Sequence, residues 1–208
     1  LLEMDVSDPQ LIGQIKTPSI TFELDMSGDY VYLADGDSGL RVIDVFDSFN
    51  PQKRGITQFS GYARTVFVEG HYAYVADPFL GVRIVDITDP NNPFQVGTWP
   101  LAESTYEVFV TENLAYVADD TNSLHILDVS DLTNPSEIGA YYALENANEI
   151  FVFGDYAYVG DTQEGLWVIY VSNPSNTQEV SLHTLGGGIS FVGDVYADSN
   201  YAYIVDLL

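Results

Sequence analysis

Four carboxylates fall at one recurring point of this sequence. Glu23, Glu107, Glu149 and Asp194 each open a short alternating run, and Thr65 holds the fifth such position. If those runs stand side by side, the four acids form a ring at one height. Like charges held that close are costly unless a cation, a proton or water intervenes. A hard cation such as Ca²⁺ takes roughly six to eight oxygens from carboxylates, carbonyls and water, and the ring could supply some of them. The plainer alternative is that each acid accepts backbone N–H groups where its strand begins.

Arg64 is one of only four arginines and precedes Thr65, standing where Phe22, Tyr106 and Asn148 stand in other copies. It is expected to pair with Glu107 or Glu23, or to grip an anionic group. With Tyr62, Tyr106 and Asn148 it marks a candidate ligand face. A second acidic set is Asp35, Asp77, Asp119, Asp161 and Asp206, each ending a strand before a short loop. Asp in that place can bond its own backbone two residues on, which is a structural role. The loop Asp35-Gly36-Asp37-Ser38-Gly39 faintly resembles a calcium loop but lacks the later bidentate Glu. A third set, Asp5, Asp44, Asp86 and Asp128, lies in third strands and reads as structural. The three histidines fall at different repeat positions, His71 in a turn and His125 and His183 in outer strands, so they do not converge on one metal or nucleophile. No Gly-x-Ser-x-Gly, Walker or dinucleotide motif is present.

These positions are set by a repeat. YVYLAD begins at Tyr30, YAYVAD at Tyr72, LAYVAD at Leu114, YAYVGD at Tyr156 and YAYIVD at Tyr201, at intervals of 42 residues and a last interval of 45. The longer interval contains the glycine-rich stretch Gly186-Gly187-Gly188. A second string follows the first four: GLRVIDV from Gly39, GVRIVDI from Gly81, SLHILDV from Ser123 and GLWVIYV from Gly165. The fifth lacks one, and the N-terminal LLEMDV fits the same pattern. In the second copy, Thr65–Glu69 and Tyr72–Ala76 flank the turn Gly70-His71. Val82–Thr88 and Phe94–Trp99 flank the turn from Asp89 to Pro93. Four short strands in a unit of 40 to 45 residues mark a propeller blade. The expected fold is therefore all-β: a five-bladed β-propeller forming one domain over 1–208. The blades lie near 20–60, 62–101, 104–142 and 147–184, and the last is 191–208 closed by 1–16. The last would take inner strands near Asp194–Asp198 and Tyr201–Val205, and outer strands near Glu3–Ser7 and Leu11–Lys16. Sharing it between the termini removes an open edge. The rival is a sector of a larger ring. Tyr32, Tyr74, Tyr116, Tyr158 and Tyr203 are expected to pack between blades.

The composition carries an unusual charge. There are 31 Asp and Glu against 6 Lys and Arg, a formal net charge of −25. Such a surface repels nucleic acid and anionic membranes and favours cations and cationic partners. There is no Cys, so disulfides and thiolate metal sites are excluded. No apolar run reaches the roughly 18 residues of a membrane span. The chain begins Leu1-Leu2 without a Met, which fits a mature or excised piece of a longer protein.

The paired motif YAYVAD and GLRVIDV, with a glycine before the strand and a closing Asn-Pro, resembles the LVIVD repeat. The fourth copy departs from it, with Tyr170 for the Asp and Thr177 for the turn Pro. The resemblance implies a propeller in a secreted or surface-attached protein and transfers no catalytic residues. The expected function is a non-enzymatic extracellular binding or structural module. It would meet a protein, glycan or neighbouring subunit, with Ca²⁺ as a candidate ion on Glu23, Glu107, Glu149 and Asp194. The competing expectation is a metal-dependent, lactonase-like hydrolase using the same carboxylates.

Overall fold

The structure, a computed structural model, describes residues 2–4, 10–101, 104–119, 123–142, 144, 146–184 and 192–206. Asp5 and the glycine-rich loop at 186–190 lie outside the described residues. Four units each form one antiparallel sheet of four strands. The first holds β3 (Glu23–Ser27), β4 (Tyr30–Ala34), β5 (Leu40–Asp44) and β6 (Gln52–Thr57). The second holds β7 (Thr65–Glu69), β8 (Tyr72–Asp77), β9 (Gly81–Asp86) and β10 (Phe94–Trp99). The third holds β11 (Thr105–Thr111), β12 (Leu114–Asp119), β13 (Leu124–Asp128) and β14 (Ser136–Tyr141). The fourth holds β15 (Ala147–Phe153), β16 (Tyr156–Asp161), β17 (Gly165–Tyr170) and β18 (Gln178–His183).

Local chemistry explains the hairpins. The turn from first to second strand needs a left-handed residue, supplied by Gly28, Gly70 and Gly154 with φ of 57°, 60° and 60°. In the third unit Glu112 takes that place with φ 56°. Asp44, Asp86 and Asp128 each accept the N–H two residues on, from Phe46, Thr88 and Ser130 at 2.8–2.9 Å. That bond turns the chain out of the third strand.

The core lies between sheets. Tyr32, Ala34, Leu40 and Val42 of the first unit pack with Val66, Ala73 and Val75 of the second. The same join repeats from second to third unit through Tyr74 and Val108, and from third to fourth through Tyr116 and Ile150. Tyr158 packs beside Val192 and Val195. Four of the five recurrent tyrosines thus sit between neighbouring units as expected. Tyr203 does not; it is 52% exposed, and no described strand covers its flank.

The terminal segments form two separate hairpins. One is β1 (Leu2–Met4) with β2 (Leu11–Gln14); the other is β19 (Val192–Ala197) with β20 (Ala202–Asp206). Each is docked as half a blade. β19 packs on β15 and β16 as the other first strands pack on the unit before them. Gly13 of β2 lies so close to the Ser48 carbonyl that no Cβ fits, as Gly97 does against Leu132 and Gly139 against Pro174. Ile15 covers Val31, Leu33 and Ile43. Among the described residues no ladder joins β20 to β1, so the fifth sheet expected from the sequence is present as two unjoined halves.

Candidate functional site

The first strands of the four units and β19 of the C-terminal hairpin converge on one mouth. A cavity of about 280 Å³ is lined by Phe22, Glu23, Arg64, Thr65, Glu107, Glu149, Gly193 and Asp194. The structure therefore brings Glu23, Glu107, Glu149 and Asp194 to one place, each carried on the strand that its repeat position dictates. They differ in surroundings. Glu107 is buried, Glu23 and Glu149 are partly buried, and Asp194 is exposed. Glu23 Oε2 accepts the Val66 N–H at 3.3 Å across the unit boundary, and Glu107 Oε1 accepts its neighbour's, Val108, at 3.0 Å. Backbone acceptance at the strand start accounts for those two. Glu149 has no hydrogen-bond partner among the described residues.

Burial shifts these acids upward. Burial, and then the charges of Asp25 and Asp194, push Glu23 up to about 7, against the opposing Val66 hydrogen bond. Burial and then the charges of Glu23 and Asp194 push Glu149 up to about 8. Burial, then Glu23 and Glu149, hold Glu107 well above the usual carboxylate range. The nearby Arg64 charge opposes all three shifts without cancelling any. Near neutral pH the mouth thus holds proton-bearing carboxyls, which can donate as well as accept. Among the described residues no group of three or more His, Asp or Glu side chains is placed to hold one metal ion. The four acids surround a cavity rather than a single point.

Arg64 does not make the ion pair expected of it. Its guanidinium carbon lies 4.4 Å from the centre of the Tyr106 ring, a cation–π arrangement. It forms no ion pair with any described residue, and its Nε is buried without a partner. Thr65 Oγ1, at the wall of the mouth, and Thr105 Oγ1 are likewise buried and unpartnered. Arg64 also lines two further clefts. One of about 400 Å³ runs beside Tyr62, Tyr106 and Phe79, and one of about 230 Å³ beside Tyr106 and Asn148. Tyr62 stacks on Phe22 with ring centres 5.3 Å apart. Asn148 donates from Nδ2 to the Val192 carbonyl at 2.7 Å, tying β15 to β19, while its Oδ1 has no partner. The four expected ligand-face residues are thus neighbours around Arg64.

The strand-end aspartates are structural hubs. Asp77 is fully buried and accepts the Tyr62 and Phe79 N–H groups, both at 2.9 Å. Asp161 accepts from Asn146 at 2.9 Å and Gln163 at 2.7 Å in the same way. Each therefore anchors the inter-unit loop that carries a ligand-face residue. Their third-strand partners were not foreseen from the sequence. Arg41 donates to Asp35 at 2.8 Å, Arg83 stands 3.8 Å from Asp77, and His125 Nε2 bonds Asp119 at 2.7 Å. His125 Nδ1 also meets Glu137 at 2.9 Å. Burial opposes charge on His125, but the two carboxylates outweigh it and raise its pKa. The signal was available: each partner lies six residues after its Asp. Also missed was an aromatic file one step along the first strands, Phe67, Phe109, Phe151 and Tyr196, with successive ring centres 4.8–5.2 Å apart. It recurs two residues after Thr65, Glu107, Glu149 and Asp194. In the first unit Asp25 replaces the ring and accepts the Val68 N–H at 2.6 Å.

The LVIVD repeat matches residues 21–53, 60–99, 103–143 and 145–183. The chain belongs to the LVIVD-repeat family. No curated relative matches this LVIVD chain in sequence. Its fold is that of solved β-propellers. It is similar to the β-propeller domain of Cps50 (Swd1) from Myceliophteria thermophila, at 14% identity and TM-score 0.78, over 99% of this chain and 73% of that one. It is similar to a protein of unknown function from Desulfotomaculum acetoxidans, at 12% identity and TM-score 0.76, over 94% of this chain and 66% of the other. The designed protein Ika8 matches at 12% identity and TM-score 0.72, over 95% of this chain and 59% of its own. The chain thus spans less than two thirds of the length of two of these three proteins.

Proposed function

We propose that this LVIVD-repeat chain is a non-catalytic binding module at the cell exterior, and that its mouth accepts a basic side chain of a protein partner. The observation that supports this most directly is the mouth itself. Four acids from four units face one cavity whose wall also carries an unpartnered buried hydroxyl, Thr65 Oγ1. A volume of about 280 Å³ suits one inserted side chain better than a drug-sized ligand. The net charge of −25 would steer a cationic partner toward it. The exterior location rests on the resemblance of the repeat to secreted and surface proteins.

A bound cation favours ionised carboxyls, so binding must release the proton that Glu149, pushed up to about 8, holds. Affinity for a lysine-rich peptide is expected to rise from pH 6 to pH 9, to fall with salt, and to weaken in Glu107→Gln. Calorimetric titration at the two pH values reads all three. Affinity that is flat with pH and unchanged in Glu107→Gln would sink this reading.

The calcium and hydrolase readings share one requirement, a cation held by Glu23, Glu107, Glu149 and Asp194. The spread of these acids around the cavity weighs against both. A rise in thermal midpoint with Ca²⁺, reversed by chelator and lost in Glu107→Gln, would restore them. Closure into five blades by the terminal hairpins is supported by the docking of both halves on their neighbours. The half-exposed apolar flanks of β3 and β20 weigh against it.

A further inference from the structure

One interface recurs along the chain and is left unmade once. Between units, the second strand of one sheet offers a Tyr and a small residue to aliphatic positions on the first strand of the next. Tyr32, Tyr74 and Tyr116 are 3–4% exposed in this contact, and Val66, Val108 and Ile150 opposite them 0–6%. In β20 the same positions are Tyr203 and Val205, 52% and 49% exposed. In β3 the aliphatic positions are Leu24 and Met26, 43% and 55% exposed. β3 alternates strictly: Glu23 and Asp25 turn to the second unit, where they accept the Val66 and Val68 N–H groups. Leu24 and Met26 face the other way, where no described strand pairs or packs to bury them. The two bare flanks carry the two complementary halves of the contact made inside the chain.

We propose that the seam between β3 and β20 is a slot for at least one further blade of the same repeat type, supplied by a repeat-carrying polypeptide other than a second copy of this chain. Two observations choose this occupant. The flanks continue an interface already built between neighbouring units, so the partner that fits is another such unit. The outer part of the first unit is already covered by Ile15 and Gly13 of the N-terminal hairpin, so the missing piece beside β3 is an inner pair of strands. The piece missing beside β20 is an outer pair, and outer pair plus inner pair make a whole repeat. An open strand edge with apolar flanks is a surface that proteins normally cover.

The test appends zero, one, two or three copies of the segment 81–119 after Asp206. That segment runs in the required phase, outer pair then inner pair. Thermal midpoint is expected to rise by roughly 5 °C or more from zero copies to the best-fitting number. A maximum at zero copies overturns the proposal. Thiol labelling of the unextended chain gives a second readout that does not depend on the added repeats folding. Leu24→Cys and Tyr203→Cys are expected to react at the rate of an exposed thiol. Protection at every protein concentration would mean that the chain closes on itself, and protection that grows with concentration would mean a second copy fills the seam. Either result overturns the proposal.

Discussion

Replacing Glu149 by Gln tests the electrostatics of the mouth most cleanly. Glu149 has an ordinary pKa of 4.5 and is pushed up to about 8 in the folded chain, first by burial and then by Glu23 and Asp194. Below pH 4.5 both folded and unfolded chains carry the proton, and the shift has no effect on stability. Between 4.5 and about 8 the unfolded chain ionises while the folded chain keeps its proton, so stability falls with rising pH. At about 1.4 kcal/mol per pH unit, the full interval sets an upper limit near 5 kcal/mol. The mouth opens to water and the shift is shared with Glu23 and Glu107, so a loss of about 2–3 kcal/mol is expected. Gln cannot ionise and escapes that loss. Urea unfolding of both proteins at pH 4.5, 6, 7.5 and 9 is the assay. The two should agree to within about 1 kcal/mol at pH 4.5, with the variant more stable by about 2–3 kcal/mol at pH 9. The overall charge of −25 contributes a pH trend common to both, and the difference removes it. Parallel stability curves from pH 4.5 to 9, or a variant less stable at pH 9, would refute the reasoning.

Two further substitutions probe the scaffold that holds the site. His125→Gln removes an imidazolium held between Asp119 and Glu137, whose folded pKa is raised above 6.5. Its stabilisation is full below pH 6.5 and is lost as pH rises through the folded value. Chemical denaturation should therefore show a wild-type advantage of about 2 kcal/mol at pH 5.5 that shrinks by pH 9; a constant gap would contradict this. Glu112→Gly replaces the one left-handed non-glycine among the described residues with the residue found at that turn in the other three units. A gain of about 1 kcal/mol is expected in the unfolding free energy read from urea titration, and a loss would show that the Glu112 side chain contributes more than its backbone costs.

The repeat, the strands and the turns were legible from local pattern alone. Alternation and turn chemistry are local, and each of the four full copies states them again, so Tyr72–Asp77 and Thr65–Glu69 fall within a residue of expectation. The repeat register also placed Glu23, Glu107, Glu149 and Asp194 at one height, because a side chain's face along a strand follows from its position. Tertiary structure decided what those residues meet. Arg64 had several acids within reach and instead lies over Tyr106, in contacts made between units, which strand pattern does not encode. The upward shift of Glu107 comes from water excluded by neighbouring sheets. The seam was decided in the same way. Tyr203 holds the same place in its motif as Tyr74 does, in YAYIVD against YAYVAD, yet one is half-exposed and the other buried. Burial depends on whether a neighbouring sheet arrives, and that is set by how the units assemble rather than by any one of them.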